Sequence, residues 1–414
     1  MAFALLTFYI PFNDFGCTQN QMICALLMII AACSSLTVNI MQLVYFLPYI
    51  AATDFTIFGV PLHVITFLEL VVFFKVFSKH GLEGQHVKYV LFLFFYSLPA
   101  FVLCSAEFVG VIKYMFNILL FFAILYHLRY IEHKESIGLI YLALATGVLT
   151  SCIAGRYYVR PVTEEVFDIT ESWMRYRGLW TDPNFLGCFC LLGILSLLRL
   201  KTNTKIGRLL MWAGCAVIFY YGTLTMSRTY LVVAALLLAA FVLRSTSGSF
   251  KTYLIAAVVL AVSIPALMYY VDYLNENRVA GTDSVTNGRY DNTIALLEAQ
   301  SNDICSIFGA GPDNYSYLYD ILKNQSHRAA SHNSYVDFLL QFGYVGVLLL
   351  LGVIVRYLRK TREMIRSLFQ NYGLPMACVL FYMGTLSALK YEFVFIIAAL
   401  FYYEFKTNQA CLKS

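Results

Sequence analysis

Charged residues are scarce in this chain of 414 residues. Lys, Arg, Asp and Glu together make up 13% of the sequence, whereas soluble globular proteins carry about 25%. Hydrophobic residues make up 60%, and apolar runs repeatedly reach the roughly 20 residues that cross a bilayer as a helix. The composition therefore excludes an ordinary soluble enzyme and indicates an all-α polytopic membrane protein.

The sequence also lacks the signals of several other protein classes. It contains no internal repeat, low-complexity tract or soluble domain, so we treat residues 1–414 as a single membrane domain. Residues 1–12 contain no basic region, so we expect no cleavable signal there. Most of the 11 cysteines lie inside apolar runs, which argues against a disulfide framework. Cys188 and Cys190 lack a nearby His or second Cys pair, so we expect no metal site there.

Apolar stretches predict about twelve membrane-spanning helices. Residues 20–52 are too long for one upright helix and form either one tilted span or two short ones. Residues 1–12 are ambiguous, so about fourteen spans are the alternative. The clear stretches are approximately 57–77, 88–106, 108–129, 136–154, 183–200, 206–223, 229–243, 252–271, 333–356, 372–389 and 391–405.

Basic residues orient these spans. Connections rich in Lys and Arg fall consistently on one side, which the positive-inside rule makes cytoplasmic, together with both chain termini. The outer side then receives two long segments, 155–182 and 272–332. The cytoplasmic connections contain Lys75, Lys79 and Lys88; Arg129 and Lys134; Arg199, Lys201, Lys205 and Arg208; Arg244 and Lys251; and Arg356, Arg359, Lys360, Arg362 and Arg366.

Lysine is rare on the outer side, where nearly all cations are arginines. Topology needs only positive charge inside and does not explain this bias, whereas a guanidinium binds phosphate through a planar, two-pronged fork. The arginines either pair with acidic residues of the same loops or bind an anionic ligand, and we expect roughly half to do each. The outer arginines are Arg156, Arg160, Arg175, Arg177, Arg228, Arg278, Arg289 and Arg328.

The stretch RYRGLWTDPNFLG predicts a helix start beside two arginines. Asp182 followed by Pro183 is typical of such a start, with a capping carboxylate and then proline in the first turn. The free N–H groups at a helix start suit a phosphate. Because Arg175 and Arg177 directly precede it, this stretch is a candidate phosphate site.

Trp173 and Trp180, two of the three tryptophans in the chain, flank the same helix start. Tryptophans at the end of a span are typical of the aromatic belt at a membrane interface. They also offer a flat surface for a sugar ring beside a phosphate site. The sequence leaves both interpretations open, and both residues are candidate glycan-binding residues.

Arg228 stands between two apolar segments with almost no loop, in the stretch LTMSRTYLVV. An arginine at the end of a span can extend its charge to the interface without any functional role. An ionisable group at membrane depth is nevertheless a candidate functional residue. Ser227 is placed to cap the helix that follows.

The outer segment 272–332 contains two short amphipathic patterns. NGRYDNTIALLEAQ predicts a helix that starts near Arg289 with Asn287 as its cap. FGAGPDNYSYLYDILKNQ predicts a Gly-Pro turn and a second helix. We expect both helices to lie on the membrane surface and cover a lateral opening. Their apolar faces comprise Tyr290, Ile294 and Leu297 in the first helix and Tyr315, Leu318, Tyr319 and Leu322 in the second.

His332 and Asn333 stand at the outer start of the span at 333–356, with Ser331 placed to cap it. His327 and Arg328 lie one short segment earlier. A histidine beside a glycan site acts as a base or hydrogen-bond donor near neutral pH. A single histidine at a membrane interface is more often structural, and chemistry alone does not decide between the two.

In their order and character these features resemble the O-antigen ligase and O-antigen polymerase (Wzy-type) superfamily of bacterial inner-membrane glycosyltransferases. The resemblance covers about 170–350. It rests on Arg177 followed by DPN, the pair Ser227–Arg228, GRYDNTIALL, GAGPDNY and SHNSYVDFLLQFGYVG. Asp182 is a departure, since the family more often has Asn at this position.

The resemblance implies a periplasmic active site that takes a glycan from undecaprenyl pyrophosphate without a nucleotide sugar, cofactor or required metal. It implies that His332 lies at the reaction centre, with Asn333 near the glycan, and that the protein spans the bacterial inner membrane. The expected partners are the lipid-linked oligosaccharide, membrane lipid and a chain-length regulator, with no nucleic acid. The pyrophosphate-binding candidates are Arg177, Arg228 and Arg289, with Arg175 and Arg328.

Polymerase is our first interpretation: the growing chain leaves its carrier and joins the terminal sugar of an incoming lipid-linked repeat unit. We favour it because the Tyr- and Phe-rich, Trp-poor composition resembles members encoded in serotype loci. A ligase would use the same donor with lipid A–core as acceptor. A lipid-linked oligosaccharide flippase would also have twelve spans, but transporters often show paired halves and this chain has no repeat.

Overall fold

The described part of the chain is almost entirely helical. The computed structural model describes residues 26, 29–52, 54–57, 60–81, 84–129, 134–156, 176–180, 182–200, 202, 204–245, 289–321, 331–360, 382–384, 386 and 391–413. Its helices are α1 (Leu36–Phe46), α2 (Val64–His80), α3 (Gly84–Leu103), α4 (Phe108–Arg129), α5 (Lys134–Ala154), α6 (Pro183–Arg199), α7 (Lys205–Leu224), α8 (Arg228–Ser245), α9 (Arg289–Ser301), α10 (Cys305–Phe308), α11 (Tyr315–Ile321), α12 (Ser334–Lys360) and α13 (Glu392–Lys413). A 3-10 helix follows α1 at Leu47–Ala52.

Within the described ranges, five helices are long and apolar enough to cross a membrane, which supports the predicted all-α membrane protein. α6 and the region of α1 are shorter apolar helices. The predicted span at 252–271 and most of the one at 372–389 lie outside the described residues, so the total of about twelve spans stays a prediction. The five helices are His86–Leu103, Phe108–Leu128, Ile137–Ala154, Lys205–Leu224 and Ser334–Arg356.

The predicted span at 57–77 starts too early. Asp54–Ile57 and Val60–His63 pair as an antiparallel hairpin that the apolar pattern does not predict, and α2 starts only at Val64. Pro61 has no backbone N–H and is unfavourable inside a helix, so the helix starts after it.

The described part of residues 20–52 bends at Ser34, which favours two short segments over one tilted span. Lys75 lies at this bend, inside α2, rather than in a connection as predicted. Its Nζ donates to the carbonyls of Ala31 at 3.1 Å and Ser34 at 2.7 Å, and to Asn39 Oδ1 at 2.8 Å. The lysine thus supplies donors to carbonyls that the bend leaves without helical partners.

The chain divides into two compact units. The first comprises Met1–Lys75 and Tyr130–Val279, and the second comprises Val76–Arg129 and Ala280–Ser414. In the first unit α5 packs against α1, α6 and α7. In the second unit α4 packs against α3 and α13, and α10 packs against α12.

Candidate functional site

The predicted site residues belong to both units. Arg177 and Arg228 lie in the first unit, and Arg289 and His332 lie in the second. For Arg228 and Arg289 the structure describes the backbone only. Three predicted site residues lie outside the described residues: Trp173, Arg175 and Arg328.

Buried hydrogen bonds hold the loop before α12. Ser331 and Asp337 are each 1% exposed, and Ser331 Oγ donates to Asp337 Oδ1 at 2.6 Å. Ser331 Oγ also accepts a hydrogen bond from the Asn333 N–H at 3.0 Å. Ser334 Oγ donates to the Leu386 carbonyl. The loop is therefore fixed to the first turn of α12 and to the segment that precedes α13.

Asn333, and not Ser331 as predicted, caps α12. Asn333 Oδ1 accepts hydrogen bonds from the N–H groups of Tyr335 at 2.9 Å and Val336 at 3.4 Å. These are the second and third residues of the helix, the usual partners of a capping side chain. The capping role accounts for Asn333 structurally, and its contact with glycan stays a prediction.

His332 has a left-handed backbone with φ 53° and a partly exposed side chain. This conformation costs a residue other than glycine about 1–2 kcal/mol. The hydrogen bonds of Ser331 and Asn333 on either side hold it in place. Backbone strain of this kind concentrates at functional sites, which supports His332 as the leading candidate.

α12 is broken at Gly343, where φ is 64° and ψ is −173°. A break removes the helical partners of the carbonyls before it, and inside a membrane those carbonyls need other donors. Groups from elsewhere in the second unit supply them. Gln300 Nε2 donates to the carbonyls of Leu339 (3.1 Å) and Leu340 (3.2 Å), Ala310 N–H to Leu340 (2.9 Å), Gly311 N–H to Gln341 (3.1 Å) and Tyr96 O–H to Phe342.

The GAGP motif thus has a structural role. Gly309 has φ 86°, and a Cβ there would lie 2.2 Å from the Gln341 carbonyl oxygen. Only glycine permits this approach, which lets the next two N–H groups reach α12.

The described part of the outer segment 272–332, called the large loop below, packs beside the turn between α3 and α4. Lys113 Nζ lies 3.9 Å from Asp313 Oδ2 and 3.5 Å from Glu392 Oε1. A Cβ on Gly110 would lie 2.2 Å from the Pro312 carbonyl oxygen. The α3–α4 turn and the large loop therefore lie at the same end of this unit.

Helix α9 is confirmed, but its buried face is not the predicted one. Ile294 and Leu297 are only partly buried, whereas Leu296 joins a core cluster with Leu340. The helix rests on α10 and α12, so its main apolar contact is with the protein. The most buried residues of this helix are Asn292, Ala295, Leu296 and Gln300.

In the first unit, Arg177 lies on a short segment beside the end of α7. The Tyr176 N–H donates to the Leu224 carbonyl at 2.9 Å, which brings the Arg177 backbone close to the turn before Arg228. Arg177 Nε is buried and has no hydrogen-bond acceptor among the described residues. Such a donor is costly unless a ligand or water supplies an acceptor.

Both predicted helix starts in this unit are confirmed. Asp182 Oδ1 accepts a hydrogen bond from the Asn184 N–H at 2.8 Å, and Pro183 is the first residue of α6. Ser227 Oγ accepts from the Tyr230 N–H at 3.4 Å at the start of α8. Arg228 is therefore the first residue of its helix.

Trp180 is a core residue, which argues against its predicted roles as a glycan platform or in an interface belt; its glycan contact stays a prediction. It is 2% exposed, and its ring stacks on Phe185 and Phe189 at centroid distances of 5.0 and 5.2 Å. Its Nε1–H donates to the Pro48 carbonyl at 3.1 Å. Contacts within the protein therefore occupy both the apolar faces of the Trp180 ring and its N–H group.

Arg156 belongs to this region, although it is not among the predicted site residues. Its exposed guanidinium carbon lies 5.1 Å from the ring centroid of Tyr221, which lies 5.5 Å from the ring of Tyr176. Arg156 is therefore near the segment that carries Arg177. In the sequence, the only indication of a role for Arg156 was the bias toward arginine on the outer side.

Comparison with known families identifies one segment. Residues 213–351 match the model of the family described as O-antigen ligase, a segment that includes Arg228, Arg289 and His332 but not Arg177. Curated proteins give no match to the chain. This match confirms the predicted resemblance to the O-antigen ligase and polymerase superfamily for residues 213–351, in a chain whose apolar helices support a membrane location.

Proposed function

We propose that this protein is an O-antigen polymerase of the bacterial inner membrane. It would transfer a growing glycan from undecaprenyl pyrophosphate to the terminal sugar of a lipid-linked repeat unit on the periplasmic side. The family match supports a membrane glycosyltransferase that acts on a lipid-linked glycan. The observation that carries the proposal is the left-handed backbone of His332, inside the matched segment and held by buried hydrogen bonds.

His332 orients or deprotonates the acceptor hydroxyl. A neutral imidazole accepts a proton readily near pH 7. The hydroxyl oxygen forms the new glycosidic bond while the bond from the anomeric carbon to the pyrophosphate oxygen breaks, and the hydroxyl proton passes to the imidazole. The fixed loop at Ser331 and Asn333 holds the His332 backbone in one conformation, which favours such a reaction.

Arginines stabilise the negative charge that develops on the departing pyrophosphate. A guanidinium does so with two parallel hydrogen bonds, and pyrophosphate is already a good leaving group, so the proposal requires no metal ion. Arg177 has the best structural support, because its buried Nε lacks an acceptor among the described residues. The sequence alone supports the same role for Arg175, Arg228, Arg289 and Arg328.

O-antigen ligase is the second candidate, because the description of the matched family names that activity. It would use the same donor and the same residues, but its acceptor would be lipid A–core. Only the polymerase requires a second lipid-linked repeat unit, and for it we propose a chain-length regulator as partner.

Lipopolysaccharide gels of cells lacking their own gene test the proposal. We expect deletion to leave a single repeat on the core and the wild-type gene to restore the ladder. His332→Asn should fail to restore it, because Asn tolerates a left-handed backbone but supplies no base. His86→Ala is a matched control on α3, where the imidazole stacks on Phe122 at 4.4 Å, and it should restore the ladder.

The deletion phenotype separates the two activities. Bare core together with accumulated lipid-linked polymer would identify a ligase. A full ladder from His332→Asn at matched expression would remove His332 from the reaction and favour a flippase.

A further inference from the structure

Two thiols from distant parts of the sequence meet in the second unit. Cys104 follows α3, and Cys305 starts α10 in the large loop; each is 1% exposed. Their Sγ atoms and a carboxylate oxygen of Asp303 all lie within 4.8 Å of one another. Both sulfurs carry thiols without a disulfide in the structure. A change of side-chain rotamer would bring them toward bonding distance, about 2 Å.

The hydrogen bonds of Asp303 argue against a metal site. Asp303 Oδ1 accepts from the Cys305 N–H at 2.9 Å and from the Tyr317 O–H at 2.9 Å. The Cys104 thiol is directed at the Gly309 carbonyl, 3.9 Å from Sγ. A metal ion would require two thiolates, but burial and the nearby Asp303 carboxylate raise the pKa of both thiols. The pair is thus built as neutral thiols packed in an apolar cluster.

We propose that Cys104 and Cys305 form a disulfide in the mature protein. The inference rests on the outward orientation of the large loop in the proposed function, because disulfides form and persist outside the cytoplasm. The oxidant is a disulfide of a thiol-oxidising protein or small molecule in that compartment. The two S–H bonds break, one S–S bond forms, and the two electrons and two protons reduce the oxidant's disulfide to a dithiol.

Burial assigns the bond a structural role rather than a catalytic one. Buried neutral thiols exchange slowly, so oxidation precedes closure of the loop and the bond then persists. Cys305 lies four residues before Gly309, whose neighbours donate hydrogen bonds to the broken helix α12. Asn314 Nδ2 donates to the Cys104 carbonyl at 3.0 Å, from the far end of the same turn. The disulfide would therefore attach the GAGP turn to the end of α3.

Cys152 and Cys190 are a matched contrast in the first unit. Their Sγ atoms lie 3.8 Å apart and both are buried. They lie within α5 and α6, both apolar helices, where a water-soluble oxidant does not reach. We expect this pair to stay reduced, although its sulfurs are also in contact.

Counting free thiols in the full-length protein tests the proposal. Cells are quenched with acid, and the denatured protein is labelled with a maleimide polymer before or after reduction. We expect two fewer labels without reduction. Cys104→Ser, Cys305→Ser and the double variant should each abolish this difference, whereas the double variant Cys152→Ser/Cys190→Ser should retain it.

Equal labelling of the wild-type protein before and after reduction would overturn the disulfide without reliance on any variant. In native membranes, the two thiols could instead resist maleimide labelling until a chelator is added. That result would also overturn the disulfide, in favour of a soft metal ion. Glu298→Cys, at an exposed position of α9, separates this result from a failure of the proposed function. If an impermeant maleimide labels this cysteine in intact cells, the result supports the outward orientation of the large loop. Labelling only in broken cells contradicts that orientation and both proposals.

Discussion

Ser331 Oγ donates a 2.6 Å hydrogen bond to Asp337 Oδ1, and both side chains are buried. Ser331 directly precedes His332, and Asp337 lies in the first turn of α12. The bond therefore fixes the loop that gives His332 its left-handed backbone. In the proposed function Asp337 would act on His332 through Ser331, as a positioning residue rather than a catalytic one.

Ser331→Ala should destabilise the protein and reduce polymer formation. It removes a hydrogen bond to a buried carboxylate, which costs about 1.5–3 kcal/mol. Thermal unfolding in detergent and ladder intensity at matched expression measure the two effects. Ser301→Ala is the control, because Ser301 is exposed and its Oγ only donates back to the Glu298 carbonyl. Unchanged stability and ladder in Ser331→Ala would refute the positioning role.

Gly309→Ala should be strongly destabilising. The new Cβ would lie 2.2 Å from the Gln341 carbonyl oxygen, at a φ of 86° that disfavours alanine, so we expect a loss of at least about 2 kcal/mol. Gly352→Ala on the same helix α12 is the control, because nothing lies within 4 Å of its Cβ position. It should be neutral or stabilising by up to about 1 kcal/mol. Similar unfolding temperatures for the two variants would contradict the tight packing at the helix break.

Arg177→Lys should lose most polymer formation although it keeps the positive charge. Lysine lacks the planar fork that binds phosphate oxygens in pairs, and we expect at least a roughly tenfold loss, equivalent to about 1.4 kcal/mol. Arg208→Lys, at an exposed position in the first turns of α7, should restore a normal ladder. A normal ladder from Arg177→Lys would show that charge alone suffices.

Trp180→Ala should unfold or severely destabilise the first unit, since truncation of a buried tryptophan costs about 3–5 kcal/mol. Trp180→Phe should lose less stability and keep activity per folded molecule. Unfolding temperature and ladder intensity at matched folded protein check both. A Trp180→Phe variant of normal stability but with no ladder would restore the glycan-binding interpretation.

The sequence determined the features that depend on local chemistry. Apolar runs predicted most helices, because a span must satisfy its own backbone hydrogen bonds whatever surrounds it. Asp182 with Pro183, and Ser227, gave their helix starts correctly, since capping involves residues only two or three positions apart. Ser331 was misassigned because Asn333 also fits the capping position, and only backbone geometry distinguishes them.

The tertiary structure decided which residues meet. Trp180 is an apolar ring with one N–H whether it faces a sugar or a core, and only its packing on Phe185 and Phe189 shows which. The sequence around Gly343 looks like that of an ordinary helix. The break becomes apparent only from the structure, where the N–H groups of Ala310 and Gly311 donate to the carbonyls of Leu340 and Gln341. Long-range contacts of this kind depend on how helices pack, and the hydropathy of the sequence does not predict which helix faces contact each other.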